Sequence, residues 1–379
     1  MRVVLAPDSF KESLSAPAVA AALAEGWRRV LPDAEIVLAP MADGGEGTVE
    51  ALVSATGGHA RTVAVHGPLG EPVTARYGVL GDGTTAVIEM AEASGLALVP
   101  ADRRNPAIAT TRGTGELMAH ALDHGAERLL LGIGGSATND GGTGMARALG
   151  IVFRDAADCV LPQGGLALAD LARIDTGGKH PRLGGAEVLV ACDVDNPLCG
   201  PHGASHVYGP QKGATPGMVQ SLDRALAHYA RVVEAQLGVA IADVPGSGAA
   251  GGLGGGLLAF CGATLRPGVE LVAHACGLAE KVRGADLVIT GEGRIDGQTV
   301  HGKTPIGVAR VAMAAGVPVA AVAGRLGPGY EAVYEHGIRE TLAITPEGMP
   351  LEEALPRTHA FLADAAEQLA RKWQSGALH

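Results

Sequence analysis

The stretch Gly132-Ile-Gly-Gly-Ser-Ala-Thr-Asn-Asp-Gly-Gly-Thr-Gly144 combines six glycines with small, hydroxylated and acidic side chains. The apolar residues 129–131 precede it, and a helical pattern follows from Met145 to Leu149. Strand, glycine-rich turn and helix in this order bring backbone N–H groups close to a phosphate. Glycine allows a positive φ and leaves no side chain between backbone and ligand. The stretch predicts an α/β fold with a phosphate-binding loop, and a tightly packed turn is the alternative interpretation.

Composition narrows the class of protein. A chain of 379 residues predicts two or three domains with a large core. A hydrophobic fraction of 47% excludes disorder, and 3% aromatic residues predict a core of alanine, valine and leucine. The net charge of −11 argues against a nucleic-acid partner but is compatible with a small anionic substrate, which needs only a few cations in one pocket.

The cysteines and the apolar runs bear on the cellular compartment. The five cysteines show no C-x-x-C spacing, which disfavours zinc sites and disulfide frameworks and fits a reducing compartment. Residues 1–7 are typical of a short strand rather than of a signal peptide. No apolar run approaches the roughly 18 residues of a membrane span. We expect a cytoplasmic globular protein with no membrane partner.

The two ends of the chain share a strand–helix rhythm that the middle lacks. Strands are predicted at Val3–Ala6 and Ile36–Ala39, with a helix at Ala16–Val30 capped by Ser15, and the alternation returns from about residue 280. From about residue 62, short strands separated by Gly-Pro and Gly-Asp-Gly turns predict an antiparallel meander. We therefore predict a doubly wound domain of residues 1–62 and 280–379, with a mixed α/β domain of residues 63–279 inserted into it.

A second glycine cluster, residues 246–256, lacks a fixed spacing to any predicted strand. A flexible lid, a phosphate cradle and a close packing contact or hinge would all use such glycines. We favour the packing or hinge interpretation.

Residues 297–304 match the P-loop pattern G-x-x-x-x-G-K-[ST]. A P-loop has an apolar strand running into its first glycine, whereas residues 291–296 are largely polar. Pro305 is expected to interrupt the helix where it should begin. The sequence therefore disfavours a P-loop, although Lys303 remains a candidate phosphate contact.

Residues 132–137 also fit the dinucleotide pattern G-x-G-x-x-[GA], with Asp155 near the position that would bind a ribose. The glycines at 141, 142 and 144 would fall inside the helix that follows the pattern. A dinucleotide-dependent dehydrogenase is therefore the weaker interpretation.

Charged side chains follow several predicted strands, and ligands of open α/β sheets bind outside the carboxyl ends of the strands. Phosphoryl transfer needs cations and Mg²⁺ to neutralise phosphoryl oxygens, and a carboxylate to take the proton of the acceptor hydroxyl. A serine hydrolase would need a G-x-S-x-G elbow, which the chain lacks. The charged side chains that favour phosphoryl transfer are Asp8, Lys11, Asp43, Glu46, Asp140, Asp193, Asp195, Glu292, Arg294, Asp296, Lys303 and Arg325.

Five blocks in this order resemble the bacterial glycerate kinase family of the type that makes 2-phosphoglycerate. They are residues 6–15 (APDSFKESLS), 40–48 (PMADGGEGT), 132–144, 192–197 (CDVDNP) and 290–296 (TGEGRID). The resemblance covers nearly the whole chain. It implies ATP-dependent phosphorylation of D-glycerate with Mg²⁺. It also implies a discontinuous flavodoxin/Rossmann-like domain, an inserted α/β domain and an active site in the cleft between them.

The resemblance leaves the role of each residue open, and we assign roles as hypotheses. Asp193 and Lys11 are the candidate catalytic residues, with Asp193 as the base because a buried strand precedes it and Pro197 stiffens the turn after it. A magnesium ligand or an ordinary turn residue are the rival roles for Asp193. The candidate substrate-binding residues are Asp8, Ser9, Arg294 and Arg325. The candidate nucleotide-binding residues are Gly134, Gly135, Ser136, Thr138, Asn139 and Lys303. The candidate metal ligands are Asp140 and Asp296.

A non-catalytic module that senses glycerate or nucleotide is the alternative from another class, and a DNA-binding segment would favour it. The acidic chain shows no such segment. The oligomeric state stays open, a homo-oligomer included.

Overall fold

The computed structural model describes residues 1–378. Its strands are β1 Arg2–Pro7, β2 Glu35–Leu38, β3 His59–His66, β4 Pro72–Val79, β5 Thr85–Glu89, β6 Arg128–Gly132, β7 Val152–Arg154, β8 Arg173–Asp175, β9 Glu187–Ala191, β10 Thr264–Arg266, β11 Leu287–Ile295, β12 Val319–Leu326 and β13 Ile338–Ala343.

The α-helices lie between and after these strands. They are α1 Ala16–Arg28, α2 Thr48–Thr56, α3 Ala91–Ser94, α4 Arg112–Asp123, α5 Thr143–Ala148, α6 Ala204–Tyr208, α7 Pro216–Leu237, α8 Ala249–Cys261, α9 Gly268–Ala275, α10 Leu278–Val282, α11 Thr304–Ala314, α12 Leu351–Ala354 and α13 Thr358–Gln374. Short 3-10 turns complete the pattern, among them Pro210–Lys212, Thr299–His301 and Tyr330–His336.

The chain divides into two compact units. Unit 1 comprises Met1–Asp43, Glu50–Gly58 and the described part of Val269–His379, and unit 2 comprises Gly44–Val49 and His59–Gly268. The second seam of this division lies at residues 268 and 269, ahead of the 279/280 boundary that we expected from the sequence.

Unit 1 is built on a five-stranded sheet in the order β13-β12-β11-β1-β2, and every neighbouring pair is parallel. Residues 3–6, 287–289 and 319–323 of its central strands are apolar and buried, because helices cover both faces of the sheet. Helices α1 and α13 cover one face, where Trp27 and Leu362 are buried, and α11 packs on the other. The parallel sheet confirms the predicted doubly wound fold.

Unit 2 is built on a six-stranded mixed sheet in the order β10-β9-β6-β5-β4-β3. Strands β3, β4 and β5 pair antiparallel, as the meander predicted, whereas β5, β6, β9 and β10 run parallel. Strands β7 and β8 form a separate antiparallel pair. The parallel half of the sheet places the ends of β6 and β9 at one edge, with Gly132 paired to Ala191.

Helix α8 contains the second glycine cluster and is a packing element. Ala250, Gly251 and Gly252 have positive φ values of 53°, 69° and 89°, which kink the helix near its start. A Cβ atom on Gly251 would lie 1.9 Å from the Thr138 carbonyl oxygen, and the Gly141 N–H donates to the Gly251 carbonyl at 3.0 Å. The glycines therefore let α8 meet the loop after β6 backbone to backbone, which confirms the packing interpretation.

Ser15 occupies the predicted N-cap position of α1, although its side chain makes no capping hydrogen bond. Pro17 lies in the first turn of this helix. Near the end of the described chain, the 3-10 turn Leu355–Arg357 separates α12 from α13. Pro356 in that turn lacks the N–H that a continuous helix would need.

In residues 1–378 no helix is both long enough and apolar enough to span a membrane.

We expect Gly251→Ala to lower the free energy of unfolding by about 3–5 kcal/mol, because a methyl group would collide with the Thr138 carbonyl at a positive φ. Gly262→Ala is the matched control: Gly262 also has a positive φ, 62°, but its Cβ would meet nothing within 4 Å. We expect a loss of only about 1 kcal/mol there. Urea unfolding of both variants measures the difference, and equal losses would contradict the proposed packing role of Gly251.

Candidate active site

A cavity of about 420 Å³ lies in unit 1 at the carboxyl edge of the parallel sheet. The loop after β1 contributes Asp8, Ser9 and Lys11, and the end of β11 contributes Glu292 and Arg294. Asp43, Lys303 and Arg325 also line it. The structure thus brings together six of the side chains that we assigned from the sequence: Asp8, Ser9, Lys11, Arg294, Lys303 and Arg325.

Two carboxyl groups in this cavity are held in unfavourable surroundings for a negative charge. Burial raises the pKa of Asp8 to about 6, with a further rise from the nearby charge of Asp43, while a hydrogen bond from the Thr304 hydroxyl opposes the shift. Burial also raises the pKa of Glu292 to about 7, although Lys303 and the Thr299 hydroxyl lower it. Both groups therefore change protonation close to neutral pH.

The cations of the cavity differ in how firmly they are held. The Lys303 ammonium lies 3.9 Å from Glu292, and Arg294 donates to Asp296 at 2.9 Å. Arg325 donates to the backbone carbonyl of Met349. Lys11 forms no ion pair with any residue from 1 to 378 and is exposed. The cavity therefore presents positive groups that an anion could reach.

Asp296 does not line the cavity. Its Oδ1 accepts from the backbone N–H of Gln298 and its Oδ2 accepts from Arg294, both at 2.9 Å. The backbone hydrogen bond is the main cause of the lowered pKa of Asp296. Its contacts position the turn after β11, and the metal-ligand role stays a prediction.

The glycine-rich loop after β6 exposes backbone at Gly134 and Gly135, and Gly135 has a φ of 72°. The next side chains turn inward. Ser136 is 7% exposed, while Thr138 and Asn139 are fully buried. The Asn139 amide donates to Ser205 at 3.0 Å. The loop therefore offers a ligand the backbone of its first residues, and the side chains of Thr138 and Asn139 serve its packing.

Asp140 is fully buried and holds this loop in shape. Its Oδ2 accepts from the backbone N–H and the hydroxyl of Thr111 and from the N–H of Gly144, and its Oδ1 accepts from the N–H of Gly142, all at 2.8–3.1 Å. Burial raises the pKa of Asp140 while these bonds lower it. A carboxylate already engaged by four donors and closed to solvent is a poor magnesium ligand, so we reassign Asp140 to loop positioning.

Asp193 follows β9 and is exposed at the same edge of the sheet as the glycine-rich loop. Its Oδ1 accepts from the backbone N–H of Gly268 at 2.9 Å. This bond orients the carboxylate, as a base or a metal ligand requires, and leaves its role a prediction.

The arguments raised against a P-loop at residues 297–304 were wrong in two respects. Strand β11 continues through the polar residues to Ile295, and α11 begins at Thr304 with Pro305 in its first turn, where proline is tolerated. However, the Thr304 hydroxyl that would bind magnesium in a P-loop donates instead to Asp8.

The dinucleotide pattern at residues 132–137 is not followed by the parallel strand that a dinucleotide-binding unit requires. A dinucleotide-binding unit continues into a parallel strand of the same sheet. Strand β7, which carries the chain toward Asp155, pairs antiparallel with β8 in a separate two-stranded sheet. The dehydrogenase interpretation loses its structural basis.

Sequence reasoning gave no role to Lys212 and Thr304, two residues that hydrogen-bond to candidate site residues. Lys212 is 2% exposed and donates to Ser136 and Thr138 at 2.6 Å. Its place in the short glycine-flanked run Gly209–Gly213 was the available signal. Glu292 was recognised as a polar strand end but was given no role.

Residues 3–374 match the family model described as the Glycerate kinase family. A Halalkalibacterium halodurans protein named glycerate kinase is 55% identical over 368 residues, covering 97% of each chain. An Escherichia coli K12 protein named glycerate 2-kinase is 51% identical over 370 residues, covering 98% of this chain and 97% of the relative.

The fold is shared with a solved structure as well. A crystal structure of a Salmonella typhimurium LT2 protein described as a glycerate kinase 2 superposes with a TM-score of 0.92 at 50% identity, covering 100% of this chain and 99% of the other. Sequence and fold therefore agree over nearly the full length, and the chain belongs to the glycerate kinase family.

Proposed function

We propose that this protein transfers the terminal phosphoryl group of ATP to the 2-hydroxyl of D-glycerate and releases 2-phosphoglycerate. The names of relatives at 51–55% identity support the substrate and the kinase activity. The observation that carries the proposal is the unit 1 cavity, where four cationic side chains lie around two titrating carboxyl groups. Anionic substrates and a phosphoryl group in transfer both need such cations.

The cations of the cavity fit glycerate. Arg294 and Arg325 are exposed, and a planar guanidinium can hold a carboxylate through two parallel hydrogen bonds. Lys11 adds an exposed charge at the cavity wall, and Ser9 adds a hydroxyl. We assign the substrate carboxylate to the arginines and the charge that develops during transfer to Lys11.

The glycine-rich loop of unit 2 fits a nucleotide phosphate. Gly134 and Gly135 offer exposed N–H groups at the end of a parallel strand, where backbone donors bind phosphate without intervening side chains. Ser136 adds a hydroxyl next to them. Lys303 remains a further candidate for a phosphate contact.

Asp8 and Glu292 are better candidate magnesium ligands than Asp140. Within residues 1–378 no group of three or more histidine, cysteine, aspartate or glutamate side chains is suited to hold a metal. Mg²⁺ commonly keeps several waters and binds one or two carboxylates together with substrate phosphates. Asp8 and Glu292 supply two carboxylates whose ionisation the site disfavours. When bound, the ion would neutralise phosphoryl oxygens.

Asp193 is the proposed base. The hydroxyl of glycerate is a weak nucleophile at neutral pH, so a carboxylate within hydrogen-bond distance would take its proton as the bond to phosphorus forms. The Gly268 N–H fixes one oxygen of Asp193. The second oxygen is the one that we assign to the substrate hydroxyl.

The activity itself is tested by ADP formation, measured in a coupled assay with ATP and Mg²⁺ in the presence and absence of D-glycerate. We expect ADP only when glycerate is present. A protein that binds glycerate or ATP but forms no ADP would be the sensing module that we considered as the alternative.

The site of phosphorylation is tested by the product. Transfer to the 2-hydroxyl gives 2-phosphoglycerate, which enolase converts without a mutase. We therefore expect phosphorus NMR of the reaction mixture to show 2-phosphoglycerate and added enolase to consume it at once. A spectrum with mainly 3-phosphoglycerate would overturn the regiochemistry.

Asp193→Asn tests the base. Asparagine keeps the bond from Gly268 but cannot take a proton, so we expect kcat to fall about 10²–10⁴-fold with little change in the KM for ATP. Asp195→Asn, an exposed aspartate two residues away, is the control and should stay within a few-fold of wild type. Recovery of Asp193→Asn at high magnesium would indicate a metal-ligand role, and an unchanged kcat would move the base to Asp8 or Asp296.

Asp8→Asn tests the buried acid through stability. Asp8 has a pKa of about 6 in the folded state and of 3.8 in the unfolded chain. The free energy of unfolding therefore falls as pH rises between these two values. Asparagine removes this cost and can still accept from Thr304. We expect the variant to gain about 1–2 kcal/mol over wild type at pH 8 and clearly less at pH 5, measured by urea unfolding. An equal effect at both pH values would refute the assigned burial of the charge.

A further inference from the structure

Unit 2 contains a buried ammonium group that has no carboxylate partner. Lys212 is 2% exposed, and none of the ion pairs formed by residues 1–378 includes it. Its Nζ donates to the Ser136 hydroxyl and to the Thr138 carbonyl, both at 2.6 Å. An ammonium group has three N–H donors, and these two hydrogen bonds use only two of them.

A buried charge is normally paired, because removing it from water costs several kcal/mol. Both contacts of Lys212 are neutral oxygens, and both belong to the glycine-rich loop. Burial lowers the pKa of Lys212 to about 7, and the charge of Asp140 raises it only in part. The fold therefore holds Lys212 behind this loop with no carboxylate in direct contact among residues 1–378, and only Asp140 favours its charged form.

The bond to Ser136 has a directional consequence. Since the Ser136 oxygen accepts from Lys212, its own hydrogen points to another acceptor. Ser136 follows the exposed backbone of Gly134 and Gly135, the part of the loop that a ligand can reach. A ligand at these residues would meet a serine hydroxyl already committed to donating, with a positive charge behind it.

We propose that Lys212 is a positioning residue whose ammonium, acting through Ser136, makes the Gly134–Ser136 segment a binding site for a phosphate group of the nucleotide. The proposal rests on the proposed function and deepens it by naming the anion and the group that attracts it. Bound phosphate would supply the missing counter-charge. Charge-assisted hydrogen bonds of this kind are about twice as strong as neutral ones.

Lys212→Met tests the proposal, because methionine keeps most of the side chain's length and removes its charge and donors. We measure binding of ADP and of adenosine by calorimetry or by competition with a fluorescent nucleotide, which needs no turnover. We expect ADP affinity to fall about 10- to 100-fold while adenosine affinity changes less than threefold, because only ADP carries phosphate. In the kinase assay the KM for ATP should rise by a similar factor and the KM for glycerate should not.

Lys281→Met is the matched control. Lys281 is partly buried and, like Lys212, donates to a backbone carbonyl, in this case that of Ala55 at 2.8 Å. Its loss removes the same kind of bond in unit 1, and we expect ADP affinity to stay within twofold of wild type.

Ser136→Ala tests whether Lys212 acts through Ser136. It also keeps the proposal falsifiable if Lys212→Met fails to fold. This variant retains the buried ammonium and removes the hydroxyl that it orients, so we expect ADP affinity to fall about three- to tenfold. The double variant should lose little more than Lys212→Met alone, because the two groups act as one unit.

Three results would overturn the proposal. Equal losses for ADP and adenosine, or a lower melting temperature with unchanged ADP affinity, would indicate a purely structural lysine. A rise in the KM for glycerate alone would place a carboxylate on the loop instead. Wild-type protein that forms no ADP with glycerate would refute the proposed function, whereas the ADP-binding comparison would still decide the role of Lys212.

Discussion

The close approach of two glycine-rich segments is the constraint on which unit 2 depends. A single methyl group at Gly251 would collide with the carbonyl of Thr138, the same carbonyl that accepts a hydrogen bond from Lys212. Tyr229 donates to the carbonyl of Gly141 at 2.9 Å, so helix α7 holds the loop as well. Backbone packed against backbone leaves little room for adjustment. The loop consequently keeps its exposed N–H groups in place before any ligand arrives.

Both units also show charged groups held at a cost to stability. Asp8 and Glu292 are carboxyl groups that resist ionisation, and Lys212 is an ammonium group without a counter-ion. Ionisable groups whose burial is only partly compensated weaken a fold and are typical of functional sites. Asp140 is the contrasting case, because four hydrogen bonds compensate its burial. Satisfied buried charges shape the loop, and unsatisfied ones are the candidates for ligand contact.

Much of the fold could be predicted from local patterns, since buried parallel strands read as apolar runs and the meander as short strands with turns. The cavity residues of unit 1 could be expected as well, because parallel strands place their following loops at one edge. How deeply each charged side chain is buried could not be predicted from the sequence. Asp140 and Asp8 look alike in sequence, and only tertiary packing makes the first a structural residue. The partners of Lys212 lie 74 and 76 residues away along the chain, and no local pattern indicates them.

The order of strands in unit 1 has a consequence for how the protein is made. Strand β1 lies between β2 and β11, and the Thr290 hydroxyl reaches the Ala6 carbonyl across 284 residues of chain. During synthesis β1 must therefore wait for its partner β11 until all of unit 2 has left the ribosome. Unit 2 is nearly continuous and can complete its sheet first, as domains commonly fold in turn. Until then one edge of β1 is open to other chains, which makes nascent unit 1 the part most in need of a chaperone.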